Sequence, residues 1–94
     1  MINYQNNKPF VEGVSIEDIA SSHITPMYVY SQKKIEEKYN KLKNTLNAEI
    51  FYAVKANSNQ AIIKLMSTVG AGADVVSVGE LERAITAGIN PKKI

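Results

Sequence analysis

The sequence predicts an α/β chain, the opening βαβα portion of a larger protein with a parallel sheet. Two apolar runs, IFYAV at 50–54 and ADVVSV at 73–78, are continuous rather than alternating, as in strands covered on both faces. Each run leads into a stretch with the spacing and end signals of a helix, at 58–70 and 77–88. Two such strands cannot cover their own apolar faces, and a full barrel of this type needs about 250 residues. We therefore expect these 94 residues to be the opening portion of a larger protein, or a remnant of one.

Before the first long strand we predict a short strand and a helix. Residues 1–24 are polar and weakly patterned, and form an N-terminal segment. TPMYVYS at 25–31 is aromatic and β-branched, with Pro26 near its start, where a missing N–H costs least, so we predict a strand there. The helix is predicted over 31–46 with Ser31 as N-cap, a Glu37–Lys41 pair on the wet face, and a buried face of Ile35, Tyr39, Leu42 and Leu46.

The two later helices have clear ends. Ser58 or Asn59 caps the helix at 58–70 and Gly70 ends it, with a predicted buried stripe of Ile62, Leu65, Met66 and Val69. In the helix at 77–88, Ser77 and Glu80 have capping-box spacing, and the predicted buried face is Leu81, Ala84 and Ile85.

Composition excludes several classes of protein. Apolar residues make up 45% of the chain and charged residues 21%, with a net charge of +2, as in ordinary globular proteins. Basic and acidic residues are mixed, so nothing indicates nucleic-acid binding. Without cysteine there is no disulfide or thiolate metal site, and His23 has no second ligand nearby, so we expect no metal. We see neither a signal peptide nor a membrane span, and expect a cytoplasmic protein.

Lys55 is the first candidate site residue. It follows the apolar run at 50–54, and active sites of parallel α/β folds lie at the carboxyl ends of the strands. An amine partly withdrawn from water gives up its proton more readily, becomes a nucleophile, and can bond to an aldehyde cofactor such as pyridoxal phosphate (PLP). The alternative is a lysine that reaches from a strand end to water.

Asp74 is the second candidate. It lies within the second apolar run, where aspartate is unfavourable and a buried carboxylate needs a partner. Lys55 on the neighbouring strand would be a natural partner. Alternatively, Asp74 lies at the strand rim and accepts hydrogen bonds from loop N–H groups, and the residues alone leave both interpretations open.

Three ordered motifs, TPMYVYS, FYAVKANSN and GAGADVVSVGELERAITAGINPKKI, together resemble the N-terminal part of the diaminopimelate decarboxylase family. These are PLP-dependent decarboxylases built on an alanine-racemase-like, TIM-type barrel. The resemblance covers about residues 24–94. The chain departs from the family pattern at Val78, often glycine, and at Ala71, often cysteine.

The resemblance implies that Lys55 binds PLP covalently and that Asp74 lies near Lys55 and the cofactor. It places Glu80 on the family's GEL glutamate, with a partly architectural role. It assigns 25–31 to a separate β domain and 32–94 to the first, incomplete part of the PLP-binding barrel. The implied activity is a lyase of lysine biosynthesis that converts meso-2,6-diaminopimelate to L-lysine and CO2, with homodimers expected and the remaining cofactor and substrate groups beyond residue 94.

Two other functions remain open. The chain alone is expected to be inactive, and it could be a non-catalytic remnant or an interaction module that keeps the family sequence. Within the enzyme class, an ornithine, arginine or carboxynorspermidine decarboxylase is the alternative.

Overall fold

Two tight turns build the first part of the structure, a computed structural model that describes all residues from 1 to 94. Asn6 and Asn7 have φ of 52° and 63°, and Glu12 and Gly13 have φ of 50° and 77°. Two successive positive φ values are what a type I′ hairpin turn requires. The turns join three antiparallel strands in chain order, β1 (Ile2–Gln5), β2 (Lys8–Val11) and β3 (Val14–Ser15).

Residues 1–24, which are polar and weakly patterned in the sequence, form this sheet without an alternating pattern. All four residues of β1 are exposed, and Val11 is the only buried residue of the sheet, so hydrophobicity does not alternate along the strands. The residues that specify the two hairpins are those of the turns, with their positive φ values. A short helix, α1 (Ile16–Ser22), follows with Ser15 as its N-cap.

The strand predicted at 25–31 is not formed. No residue from 24 to 30 belongs to a strand or helix, and no backbone hydrogen bond joins this segment to another. A strand needs a hydrogen-bonded neighbour, and residues 1–94 provide none here. The segment exposes Tyr28 and Tyr30, whose ring centroids lie 6.5 Å apart.

The predicted first helix is confirmed as α2 (Gln32–Leu46), with Ser31 Oγ accepting a hydrogen bond from the backbone N–H of Lys34 at 3.1 Å. Of its predicted apolar face, only Tyr39 is buried. The Glu37–Lys41 pair does not form, and the ion pairs of the chain are instead Lys8–Glu17 and Lys93–Glu49. The chain divides into two compact units, 1–38 and 39–94, and the boundary falls within α2.

The second unit contains the βαβα portion. Its elements are β4 (Phe51–Ala53), α3 (Gln60–Thr68), β5 (Gly72–Asp74) and α4 (Val78–Thr86). β4 and β5 are parallel neighbours with Phe51 opposite Gly72 and Ala53 opposite Asp74, which confirms the predicted pairing. The predicted strand 73–78 is wrong beyond Asp74, because the backbone then turns towards the N-cap of α4 at Ser77.

Both later helices end as predicted. Gly70 and Gly88 have φ of 91° and 93°, and each completes a Schellman motif. The core of this unit consists of Val54, Ile63, Ala73, Ala84, Ala87 and Ile89. Ile63 was missing from the predicted stripe of α3, in which only Met66 is buried, and Ile85 of α4 is exposed. None of the helices has the length and apolar character that crossing a membrane requires.

Candidate functional site

The candidate site lies at the carboxyl end of the parallel pair β4–β5. Hydrogen bonding begins with the N–H of Gly72, which donates to the carbonyl of Ile50 at 2.9 Å, and the paired residues end at Ala53 and Asp74. Beyond β4 the chain tightens into a 3₁₀ turn, Val54–Ala56. Val54 is fully buried and anchors this turn in the core.

Lys55 lies in the middle of the 3₁₀ turn, directly after buried Val54. Its side chain is exposed and makes no hydrogen bond or ion pair in the chain. The partly apolar surroundings that we predicted for it are therefore not supplied by residues 1–94. What the fold does supply is a primary amine at the edge where the strands end.

Asp74 is the last residue of β5 and is exposed. The register brings it to the same sheet end as Lys55, as predicted, because its partner Ala53 is two positions before the lysine. No ion pair joins the two side chains. Its exposure matches the rim alternative, although no loop N–H donates to its carboxylate, and the buried-carboxylate interpretation does not hold within this chain.

The asparagines of the KANSN motif build the connection from Lys55 to α3. Asn57 Oδ1 accepts from the N–H of Asn59 at 3.0 Å, and Asn59 Oδ1 accepts from the N–H of Ala61 at 2.9 Å. Asn59, not Ser58, is thus the N-cap of α3. These side chains satisfy backbone donors that the strand-to-helix turn leaves without partners.

Glu80 has a structural role at the start of α4. Its N–H donates to Ser77 Oγ at 3.1 Å, which confirms half of the predicted capping box. The carboxylate Oε1 accepts from the N–H of Val76 at 3.1 Å, one residue before the cap that a standard box would use. Glu80 therefore holds the turn that follows Asp74.

Three contributors to this region were not singled out from the sequence. Tyr52 OH donates to the carbonyl of Asn57 at 2.7 Å. Arg83 Nη1 donates to the carbonyl of Ser58 at 3.2 Å, and Gln60 Nε2 donates to the carbonyl of Arg83 at 2.9 Å. The sequence carries no signal for these three hydrogen bonds, because each of them goes to a backbone carbonyl.

Other parts of the molecule offer weaker candidates. A cavity of about 470 Å³ within residues 1–38 has walls of mixed charge, with Glu12 and Glu37 beside Lys33 and Lys34. It is open and lacks a convergent set of reactive groups. His23 Nδ1 lies 3.0 Å from the carbonyl of Ile19, and no cluster of three or more His, Asp or Glu could hold a metal ion.

Comparison with known proteins identifies relatives of this arrangement. Residues 32–94 match the family described as pyridoxal-dependent decarboxylase, pyridoxal binding domain. A diaminopimelate decarboxylase of Aquifex aeolicus is 45% identical over 94 residues, which cover 99% of this chain and 22% of the relative. A crystal structure of an Aquifex aeolicus protein matches with a TM-score of 0.93 at 44% identity, covering 98% of this chain and 23% of that one.

A third match is a crystal structure that contains L-lysine. The diaminopimelate decarboxylase of M. jannaschii, crystallised with L-lysine, matches with a TM-score of 0.85 at 34% identity, covering 98% of this chain and 23% of that one. The chain thus spans less than a quarter of the length of these relatives. The predicted fold class, the α/β opening portion of a pyridoxal-binding barrel, is confirmed. The chain belongs to the pyridoxal-dependent decarboxylases, and residues 32–94 belong to their pyridoxal-binding domain.

Proposed function

We propose that this chain is the N-terminal part of a PLP-dependent decarboxylase that converts meso-2,6-diaminopimelate to L-lysine and CO2. The observation that carries the proposal is the position of Lys55, a free amine at the carboxyl end of two parallel strands in a pyridoxal-binding domain. The substrate is proposed because the relatives at 34–45% identity are diaminopimelate decarboxylases, and one of them is crystallised with L-lysine.

Lys55 is proposed to hold PLP through its amine. The residue fits this role because its side chain is exposed and its nitrogen has no hydrogen-bond or ion-pair partner in the chain, so it is free to bond to an aldehyde. When bound, the cofactor supplies an electron sink for the electron pair left when the substrate loses its carboxylate. The protein's own contribution is to place the amine at the sheet end.

Asp74 is proposed to act as the carboxylate beside this amine. It shares the sheet end with Lys55 through the Ala53–Asp74 register. A negative charge there favours a positively charged nitrogen on the lysine or the cofactor. This role requires surroundings that draw the two groups closer than they lie within residues 1–94.

The remaining features belong to the whole protein. We propose a cytoplasmic homodimer whose phosphate-binding, pyridine-binding and substrate-carboxylate groups lie outside residues 1–94. The alternative of a remnant or interaction module rests on the short span of the chain, 22% of the Aquifex aeolicus relative. An ornithine, arginine or carboxynorspermidine decarboxylase remains the alternative within the enzyme class.

Covalent trapping tests the cofactor role. The full-length protein carrying this segment is loaded with PLP, reduced with borohydride, digested and analysed by mass spectrometry. We expect the reduced cofactor on Lys55, and none in Lys55→Ala or in Lys55→Arg, whose guanidinium stays protonated and cannot bond to the aldehyde. Lys64→Ala is the control, because Lys64 lies exposed on α3. Cofactor attached to a different lysine would contradict the assignment of Lys55.

Product analysis tests the substrate. The loaded protein is supplied separately with meso-2,6-diaminopimelate, ornithine and arginine, and CO2 release is measured for each. We expect release from diaminopimelate with L-lysine as the product. Preference for ornithine or arginine would replace the proposed substrate, and absence of any cofactor binding by the full-length protein would favour the remnant.

A further inference from the structure

The turn that carries Lys55 is held at three points after the lysine. The N–H of Asn57 donates to the carbonyl of Val54 at 3.2 Å, which closes the 3₁₀ turn. Two side chains then donate hydrogen bonds to the backbone carbonyls of Asn57 and Ser58, the residues that end the turn and follow it. The carbonyls of residues 57 and 58 are thus held by one side chain from β4 and one from α4. We infer that the backbone of the segment 54–58 has little conformational freedom.

The first of these side chains is Tyr52, which lies on β4 three residues before Lys55. Its hydroxyl reaches over the turn to the carbonyl of Asn57 at 2.7 Å, a short hydrogen bond between partly buried groups. The phenol ring and this bond bridge the start and the end of the turn, so the turn is closed by a rigid side chain as well as by the backbone.

The second side chain is Arg83 of α4. Its Nη1 donates to the carbonyl of Ser58 at 3.2 Å, between residues 25 positions apart in sequence. The backbone carbonyl of Arg83 accepts from Gln60 Nε2 at 2.9 Å. These two bonds tie the start of α3 to α4, the helix that follows Asp74.

We propose that Tyr52 and Arg83 are positioning residues that aim the Lys55 amine, an inference that rests on the proposed role of Lys55. A lysine side chain is flexible, so the direction of its amine depends on how firmly its backbone is held. In enzymes a displacement of about 1 Å at the reacting group can lower the rate about 100-fold. Neither residue needs to touch the cofactor, because both act on the carbonyls that follow the lysine.

The test uses Tyr52→Phe and Arg83→Met in the full-length protein carrying this segment. Hydrogen exchange is measured in the cofactor-free protein on the peptide covering residues 54–58. We expect exchange there to be about three- to tenfold faster in both variants, as the loss of one hydrogen bond predicts. We expect borohydride trapping of PLP on Lys55 to slow by a similar factor, and the visible circular dichroism of the bound cofactor to change at equal occupancy.

The controls are Tyr39→Phe, which also removes one hydroxyl, and Lys64→Met, which removes an exposed cation from α3. Both should match the parent protein in all three measurements. If exchange in the variants is faster but trapping and circular dichroism match the parent, the bonds fix the turn without aiming the lysine, and the proposal is overturned. Unchanged exchange overturns it as well.

Failure of the proposed function gives a different result. If the parent protein traps no cofactor on Lys55, both the proposed function and the aiming role fail. If the parent traps it and the variants trap it equally well, only the positioning role fails. If Tyr52→Phe does not fold, the Arg83→Met variant alone tests the positioning role. This variant is expected to fold, because the side chain of Arg83 is exposed and contributes no core packing.

Discussion

The hydroxyl of Tyr39 is a buried side-chain oxygen without a hydrogen-bond partner. The side chain is 5% exposed, and Lys43 Nζ lies 5.8 Å from the centroid of its ring, a cation–π distance. Because a buried polar atom without a partner is costly, the hydroxyl itself contributes no stability here. The ring provides the packing.

We therefore expect Tyr39→Phe to leave the free energy of unfolding unchanged or to raise it by about 1 kcal/mol. Tyr52→Phe is the matched comparison and should lower it by about 1 kcal/mol, because its hydroxyl donates a 2.7 Å hydrogen bond. Urea unfolding of the full-length protein measures both. A clear loss of stability in Tyr39→Phe would mean that the hydroxyl has a partner outside residues 1–94.

Asp74→Asn tests the proposed carboxylate. The substitution keeps the shape of the side chain and removes its charge. We expect PLP to bind about two- to fivefold more weakly, the range of an exposed charge pair, while trapping stays on Lys55. Equilibrium titration of the full-length protein with PLP measures this. Glu82→Gln, an exposed carboxylate of α4, is the control, and equal affinities in the two variants would exclude the role.

At the scale of elements, the structure shows which of two candidate residues, Ser58 or Asn59, is the N-cap of α3. Asn59 Oδ1 accepts from the N–H of Ala61, whereas the hydroxyl of Ser58 has no such bond. We expect Asn59→Ala to lower the free energy of unfolding by about 1 kcal/mol and Ser58→Ala to leave it unchanged. Urea unfolding of the full-length protein provides the measurement. A larger loss in the serine variant would identify Ser58 as the cap instead.

Helices were predicted better than strands, for a physical reason. The caps and stops of α2, α3 and α4, among them Ser31, Ser77, Gly70 and Gly88, act within a few residues and can be recognised in the sequence. A strand depends on a distant partner. The segment 25–31 has strand-forming residues but no neighbour in the chain, and β1 has a neighbour without an alternating pattern.

In the candidate site, too, one part could be predicted from the sequence and another could not. That Lys55 and Asp74 share one sheet end could be predicted, because parallel strands joined by a helix bring their carboxyl ends together. The contributions of Tyr52 and Arg83 could not be predicted. Their hydrogen bonds go to backbone carbonyls, which have the same chemistry at every residue and leave no sequence signature.

At the scale of the whole molecule, the isolated chain leaves apolar surface uncovered. Leu42 and Leu46 of α2 are 47% and 59% exposed, and Phe51 of β4 is 46% exposed. Each strand of the two-stranded sheet also has one edge without a partner. Open edges and apolar faces promote association between copies.

We therefore expect residues 1–94 alone to be poorly stable or to self-associate. Sedimentation across a concentration series, together with thermal unfolding, measures both properties. Replacing Leu42 and Leu46 by lysine should reduce association, whereas Lys41→Ala on the wet face should not. A sharp, cooperative transition from a dilute monomer would contradict the expectation.

The close approach of the Lys93 backbone to Gly72 limits which nucleotide substitutions the codon for residue 72 can accept. A Cβ built on Gly72 would lie 2.6 Å from the carbonyl oxygen of Lys93, a backbone atom that cannot rotate away. Every missense change at the first or second base of a glycine codon adds a Cβ. The codon for residue 72 is therefore free to vary only at its silent third base for as long as the carbonyl oxygen of Lys93 lies this close to Gly72.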